Sequence, residues 1–404
     1  MLPVTGTWIK IEPWRLMRFA GRPVVNDSAQ RSLEPGFLLP DEPRRFVDEE
    51  TGAPQLQLTG HPSINHSFFF LNPSFRPGHP GQVGFVTHRG GGPQPCLFDE
   101  EKGQSTCIGV PDEMQPFSPS FSLDGSRLFY TNRGGEVRQI DIESHDDDPL
   151  AQLDGASLGE AGPSADGRFL ITACKRGDHH GLFLVDIEKR EGRIILERKE
   201  KIIHPQFQPG NPELIEYAGD PRPRLFTIRR DGSEDQCLYQ NGEREFIVHE
   251  SFLGASDDLI FAVWPYKLGR MNVHRKEMET VVETNAWHMA SSRDGRKIVS
   301  DTNHPDRGLI LIDPGTGDTC TLCGPGSSNG GTQWKEDHPA GPEVWAAIRG
   351  ETGQDLSWME MKVDSVYGPQ WSHPHPAFDE TGTRVVYTSD RTGHPQVYVV
   401  EVTD

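Results

Sequence analysis

The chain has 404 residues and carries 60 acidic against 40 basic side chains, which gives a formal net charge of −20. Such an acidic chain lacks the basic face that general DNA or RNA binding and adhesion to anionic membranes require, so we expect neither nucleic acid nor a membrane as partner. Its 43 glycines and 33 prolines, beside 34% hydrophobic residues, are typical of a turn-rich all-β fold.

The first 41 residues are rich in proline and do not follow the pattern of the rest, so we expect an N-terminal extension, residues 1–41, packed on the outside. Neither a signal peptide nor an apolar run of about 18 residues is found. The six cysteines are scattered and set no disulfide framework; the CxxC of Cys320 and Cys323 has no second pair. We therefore expect a cytoplasmic protein with reduced thiols.

A predicted strand at about 46–59 precedes the first of several repeats, each with a short strand, a polar turn and two alternating strands. The clear copies are Phe121–Ile142, Pro163–Ile187, Ser292–Asp313 and Phe378–Val402, and the weaker ones are Phe75–Phe98, Phe207–Ile228 and Phe252–Val273. Their turns lie about 40–46 residues apart, the period of a four-stranded propeller blade. Residues 42–404 are thus predicted to form one seven-bladed β-propeller of four-stranded antiparallel blades. The strand at about 46–59 is predicted to complete the last blade and close the ring.

One interval between turns, from Asp294 to Asp379, is about twice as long as the others. It has room for an eighth blade, but residues 325–350 lack the repeat pattern. We interpret this stretch as an insertion between two blades.

Histidines recur at one place in the repeat. Six residues before the turn, on the predicted innermost strand, stand His204, His249, His288 and His373, whereas two earlier blades have Ser118 and Glu160 there. His375 follows His373 by two positions, so both are predicted to project from one face of a strand. A single histidine is usually a structural residue, but imidazoles from adjacent blades that converge at one end of a channel indicate a divalent-metal site.

The ordered motifs of the repeat region resemble those of the oligogalacturonate lyases, seven-bladed propellers that cleave pectin-derived oligouronides by β-elimination. The series is Phe46-Val-Asp-Glu-Glu-Thr-Gly, Asn65-His-Ser-Phe-Phe-Phe, His204-Pro-Gln-Phe-Gln-Pro, His249-Glu, Trp287-His-Met, Gln370-Trp-Ser-His-Pro-His-Pro-Ala-Phe and Tyr387-Thr-Ser-Asp-Arg. Each motif is weak alone; the order, ending in Gln-x-x-His-Pro-His-Pro, is more specific.

The resemblance implies a role for each matching residue. A divalent ion, usually Mn²⁺, is expected on His288, Gln370, His373 and His375. The proton-abstracting base matches His249, and the assisting arginine matches Arg224. The chemistry suits these types, because a cation and an arginine neutralise a uronate carboxylate while a neutral histidine removes the adjacent C5 proton. The expected partner is therefore an acidic oligosaccharide.

Departures from the family pattern leave alternatives open. The stretch Ala218–Arg224 is shorter than the family's loop, and Arg222 competes with Arg224 for the assisting role, so a different uronide remains a candidate substrate. Two rival functions are another metal-dependent sugar enzyme and a non-catalytic propeller scaffold of the TolB or WD-repeat kind. A propeller fused to a peptidase is disfavoured, because no G-x-S-x-G followed by helical periodicity is found.

Overall fold

The repeats fold into seven small antiparallel sheets arranged in a ring. A computed structural model describes residues 33–40, 43–111, 113–220, 222–242, 245–303, 305–328 and 372–403. Within these ranges the strands form seven sheets of four or five strands each, and the fold is the predicted seven-bladed β-propeller. None of the segments described is a helix long and apolar enough to cross a membrane.

The strands follow one another in chain order, from the axis outwards in most blades. The N-terminal strands are β1 (Leu38–Leu39), β2 (Arg44–Val47) and β3 (Pro54–Gln57). Blades 1 to 3 contain β4 (Asn65–His66), β5 (Gln82–Thr87), β6 (Gln94–Asp99), β7 (Gln104–Cys107), β8 (Ser120–Phe121), β9 (Arg127–Thr131), β10 (Glu136–Asp141), β11 (Asp147–Gln152), β12 (Ser157–Pro163), β13 (Phe169–Arg176), β14 (His179–Asp186) and β15 (Glu191–Arg198). Blades 4 to 7 contain β16 (Lys201–Gln208), β17 (Asn211–Asp220), β18 (Leu225–Arg229), β19 (Gln236–Tyr239), β20 (Phe246–Phe252), β21 (Asp258–Trp264), β22 (Lys267–Asn272), β23 (Met278–Val282), β24 (Ala286–Ser291), β25 (Ile298–Thr302), β26 (Leu309–Ile312), β27 (Thr319–Cys323), β28 (Ala377–Phe378), β29 (Arg384–Ser389) and β30 (Gln396–Glu401).

The N-terminal segment closes the ring, as predicted, but it does so as a hairpin rather than as one strand. The last blade has the strand order β28-β29-β30-β3-β2, so β3 pairs with the C-terminal strand and β2 pairs with β3. Thr59 Oγ1 donates to Gln396 Oε1 at 2.6 Å and extends the seam. The turn Asp48–Ala53 lies between the two strands. Asp48 Oδ1 stabilises this turn by accepting hydrogen bonds from the N–H groups of Glu50 and Thr51. Closure leaves β30 with a partner on both sides, which removes an exposed sheet edge.

Ser328, within the predicted insertion, lies next to Ser372 at the start of blade 7. The chain leaves blade 6 through Ser328 and enters blade 7 at Ser372, whose N–H donates to Ser328 Oγ at 3.0 Å. Most of the predicted insertion, the metal-ligand candidate Gln370 and residues 1–32 of the predicted extension lie outside the described residues. The part of the extension that is described includes β1, which pairs with β7 as a fifth, outermost strand of blade 1.

Candidate active site

The innermost strands of four blades contain a break in register at about the same position in the repeat. In β12, β16, β20 and β24 the pairing with the second strand of the blade shifts by one residue. His204, His249 and His288 lie within three of these bulges. His204 and His249 adopt φ angles of 54° and 56°, a left-handed backbone that costs of order 1 kcal/mol in a residue other than glycine. A bulge redirects a side chain out of the regular alternation, and here it brings histidines of adjacent blades together.

In the last blade the residue at this repeat position is His375, and the expectation that it is His373 was wrong. In both blades 6 and 7 a backbone N–H closes the turn onto a carbonyl five residues later, from Ser292 and from Asp379 respectively. Asp379 is therefore the counterpart of Ser292, and not of the turn aspartate two positions further on. The sequence count used the wrong aspartate because a threonine stands at the true position in blade 7.

The two histidines of the last blade do not lie on one strand, which corrects a second expectation. Residues 372–376 have no regular pairing, β28 begins only at Ala377, and His375 has a φ of 46°. The prolines after each histidine have no N–H to donate to a ladder, which weakens regular pairing in this segment. Both rings nevertheless lie near His288, with centroid distances of 5.5 Å for His373 and 4.0 Å for His375.

The closest contact in this group joins His288 and His375, whose Nε2 atoms are 3.0 Å apart. His249 also lies next to His288, with ring centroids 4.2 Å apart. We name the five residues His204, His249, His288, His373 and His375 the histidine cluster. All of them are buried except His249, which is partly exposed.

Asp301 fixes the orientation of His288. Its two carboxylate oxygens accept the backbone N–H of His288 at 2.6 Å and contact Nδ1 at 2.8 Å. Burial raises the pKa of Asp301 to about 7, while the hydrogen bond from the His288 N–H opposes this shift. Because the carboxylate accepts a hydrogen bond from Nδ1–H, the proton stays on Nδ1 and the Nε2 of His288 presents a lone pair toward His375. A carboxylate behind a histidine is the usual outer partner of a metal-bound imidazole.

His249 is held in the tautomer that a base needs. Its Nδ1 lies 2.9 Å from the carbonyl oxygen of Trp287, which can only accept, so Nδ1 carries the proton and Nε2 the lone pair. Burial lowers the pKa of His249 well below its ordinary value, and the neighbouring His288 and Arg224 lower it further. The ring is therefore neutral near pH 7.

Arg224, rather than Arg222, lies beside the histidine cluster. Its side chain is 3% exposed and its Nε donates to both carboxylate oxygens of Glu250, at 2.9 and 3.2 Å. Burial is the main cause that lowers the pKa of His204, and the charge of Arg224 lowers it further. Arg224 therefore lies near the His204 ring as well. Arg222 has an exposed side chain. Of the two candidates that the sequence left open, the buried one has the geometry to act on a group bound near His249.

Two phenylalanines in the connection after β4 pack against the histidine cluster, and the residue-by-residue prediction had no role for them. Phe70 lies with its ring centroid 5.6 Å from that of His249 and 5.7 Å from that of His288, and Phe69 lies 5.2 Å from His204. The run Phe68-Phe-Phe interrupts the alternation expected of a strand. Glu250 and Asp301 were missed as well; Glu250 lies on the inner strand β20 and Asp301 on the second strand β25 of the next blade.

Two residues of the proposed metal site, His288 and His375, have the geometry that a divalent cation needs, but the complete set of ligands is not assembled in the described residues. A cation shared by two adjacent imidazoles lies roughly 2.0–2.1 Å from each nitrogen and leaves the nitrogens about 3 Å apart; the pair His288 and His375 has this separation and a carboxylate behind it. Across the ranges that the structure describes, no three His, Cys, Asp or Glu side chains form a complete cage. His373 would have to approach the pair, and Gln370 lies outside those ranges.

A further histidine near the cluster, His66, is expected to make the fold sensitive to acid. Burial lowers the pKa of His66 to about 3, and the nearby His88 adds to this shift. The folded-state pKa lies below the unfolded value of about 6.5, so the stability that neutral His66 contributes is expected to be complete above pH 6.5 and to be lost as the pH falls toward 3. We expect the free energy of unfolding in chelator to fall below pH 6.5, with His66 contributing about 1.4 kcal/mol per pH unit.

Urea unfolding at pH 7.5, 6, 5 and 4 measures this slope, and His66→Gln should reduce it. His274→Gln is the matched control, because the His274 side chain is 64% exposed. A free energy of unfolding that stays constant from pH 7 to 4, or a slope that His66→Gln leaves unchanged, contradicts the expectation.

Comparison with known proteins confirms the resemblance seen in the motifs. An oligogalacturonide lyase of Pectobacterium atrosepticum is 24% identical over 243 residues, which are 55% of this chain and 55% of that protein. The chain thus aligns with about half the length of this curated relative. A solved oligogalacturonate lyase in complex with manganese superposes with a TM-score of 0.75 at 18% identity, over 92% of this chain and 99% of that one. An oligogalacturonate lyase of Vibrio parahaemolyticus gives 0.73 at 19% identity, with the same coverages. No family model matches the chain.

Proposed function

We propose that the protein is a metal-dependent lyase that cleaves oligogalacturonate, or a related oligouronide, by β-elimination. The observation that carries this proposal is His249, whose Nε2 carries the lone pair, set against the imidazole pair of His288 and His375 with a carboxylate behind it. A binding scaffold has no need of such a group. The similarity in sequence and fold to oligogalacturonate lyases supports the same class of substrate.

His288, His373, His375 and Gln370 would hold the divalent ion, with Mn²⁺ as the expected metal. When bound, the ion would neutralise the uronate carboxylate and so stabilise the negative charge that develops at C5. Asp301 holds His288 in the tautomer that leaves Nε2 unprotonated. Oxygen from Gln370 beside imidazole nitrogen suits a borderline-hard ion better than a closed structural zinc site.

His249 and Arg224 supply the remaining chemistry. The C5 proton passes to Nε2 of His249, and the electrons of the C5–H bond form the C4–C5 double bond. The bond from C4 to the glycosidic oxygen breaks, and that oxygen leaves with the electron pair and takes a proton from water. The proton held by His249 neutralises the hydroxide so formed, which regenerates the neutral base. Arg224 binds the carboxylate oxygens and stays charged throughout. These local cationic groups also allow a chain of net charge −20 to bind a polyanionic sugar.

Incubation with a panel of oligosaccharides tests the proposal. We expect oligogalacturonate to gain the ultraviolet absorbance of a C4–C5 double bond when Mn²⁺ is present and to remain unchanged after treatment with chelator. Oligomannuronate and oligoguluronate test other uronides, and cello-oligosaccharides, which have no carboxylate, are the negative control. A metal-supplied protein that eliminates none of the uronides contradicts the proposed function.

A further inference from the structure

Two buried carboxyl groups accompany the one buried guanidinium next to His249. Glu250 on β20 and Glu216 on β17 are both 0% exposed, and Arg224 is 3% exposed. Glu250 receives both hydrogen bonds from Arg224 Nε, at 2.9 and 3.2 Å. Glu216 receives a hydrogen bond from Gln206 Nε2 at 2.9 Å, and the same nitrogen donates to the backbone oxygen of Glu250 at 3.0 Å. Gln206 therefore links the carboxyl group of Glu216 to the backbone of Glu250.

A single arginine cannot compensate two buried carboxylates, so the two acids differ in protonation. Burial raises the pKa of Glu216 well above its ordinary value, and the charge of Glu250 raises it further. Burial also raises the pKa of Glu250, but there Arg224 opposes the shift as the largest counteracting charge. The arrangement that satisfies these contacts has an ionised Glu250 paired with Arg224 and a protonated Glu216 at neutral pH.

The position of Glu250 in the chain links it to the proposed base. It directly follows His249 in the bulge of β20. The same bulge therefore determines the positions of the proposed base and of the carboxylate that binds Arg224. Glu250 occupies Nε of the guanidinium, and Nη1 lies 3.6 Å from Asp220 Oδ1. The contacts of the guanidinium with Glu250 and Asp220 thus run through Nε and Nη1. The Nη2 edge is the part of the guanidinium that we assign to an anion, and the charge of Arg224 lowers the pKa of the His249 ring beside it.

We propose that Glu250 is a positioning residue that fixes Arg224 through Nε, so that the remaining guanidinium edge faces a carboxylate bound beside His249. Glu216 keeps its proton and does not compete for Arg224. This inference rests on the proposed function, because the carboxylate is that of the uronide substrate. Its role differs from that of a structural ion pair, since Glu250 is expected to act on catalysis only through Arg224.

Replacement of Glu250 with glutamine keeps the shape of the side chain but removes the charge that orients Arg224. We expect kcat to fall by about 10- to 100-fold with a rise in KM, because a misplaced guanidinium no longer meets the carboxylate in the transition state. Metal content and the circular dichroism spectrum should not change. Glu250→Asp keeps the charge and should restore part of kcat.

Two controls separate positioning from general disturbance. Glu197→Gln removes the carboxylate from an exposed pair with Arg176, 3.0 Å apart, and should leave kcat and KM unchanged. Glu216→Gln imitates a protonated carboxyl and should leave the melting temperature at pH 7.5 unchanged, whereas a fall would show that Glu216 is ionised and would overturn that part of the inference.

A double-mutant cycle on kcat/KM gives the decisive readout. If Glu250 acts through Arg224, Glu250→Gln should have no further effect in an Arg224→Ala background; fully additive losses would overturn the inference. Wild-type elimination together with an unimpaired Glu250→Gln variant would also overturn it and leave the proposed function intact. A wild-type protein that is inactive with metal and every uronide would overturn the proposed function itself, and the inference with it.

Discussion

Replacement of His249 with alanine is expected to lower the elimination rate by about 10²- to 10⁴-fold without loss of bound metal. The expected size follows from the loss of a positioned base, which no neighbouring group replaces at the same place. Metal should stay because its proposed ligands come from other blades. Ultraviolet absorbance of the unsaturated product gives the rate, and elemental analysis of the dialysed variant gives the metal content.

His204→Ala is the matched control for this experiment. His204 occupies the same position in the preceding blade, has nearly the same backbone angle and also packs against the phenylalanines, with Phe69 5.2 Å away. The His204→Ala substitution removes the same side-chain volume from the histidine cluster, but it leaves the His249 ring next to His288 in place. If His249→Ala keeps near-wild-type turnover while His204→Ala abolishes it, the base has been assigned to the wrong blade.

The fold could be predicted because its information is local and repeated. Each blade carries its own inner strand, polar turn and alternating strands, so the number of blades and the period follow from counting. The segment that closes the ring was predicted correctly, but its structure, a two-stranded hairpin rather than one strand, was not. The hairpin of β2 and β3 depends on Asp48 capping a turn within a stretch that reads as one continuous strand, and that contact is visible only in three dimensions.

The histidine positions were predictable for the same reason, and the error in the last blade shows where counting fails. His204, His249 and His288 were found by their distance from a turn, but the turn of blade 7 has aspartate two positions earlier than the others. Only its backbone hydrogen bond, from Asp379 to the carbonyl of Arg384, identifies the equivalent residue as His375.

The acidic partners of the site could not be derived from the sequence. Asp301 and Glu250 look like ordinary charged residues of a strand, because a sequence does not show which face of a strand in a propeller meets the axis. Their burial, at 1% and 0% exposure, becomes meaningful only with the hydrogen bonds to His288 and Arg224. Buried acids of this kind are costly unless paired, so their partners explain their presence.

Replacement of His375 with alanine is expected to abolish metal binding and elimination together. His375 Nε2 lies 3.0 Å from the Nε2 of His288, so this pair is the best-formed part of the proposed metal site. Removal of one nitrogen leaves the His288 imidazole with too few partners for a divalent ion, and metal content should fall from about one ion per chain to near zero. Elemental analysis and a thermal shift on addition of Mn²⁺ measure the change.

A graded series makes the His375 prediction specific to the metal. Asp301→Asn keeps both imidazoles but weakens the hold on His288, so metal affinity should fall by about 10- to 100-fold, and added Mn²⁺ should restore activity. His249→Ala, which alters the same cluster, should retain the wild-type shift with Mn²⁺. A His375→Ala variant that binds Mn²⁺ as tightly as the wild type would place the metal away from the pair of His288 and His375. Because the cation is expected to stabilise the charge at C5 only from this position, that outcome would also remove the physical basis for assigning His249 as the base.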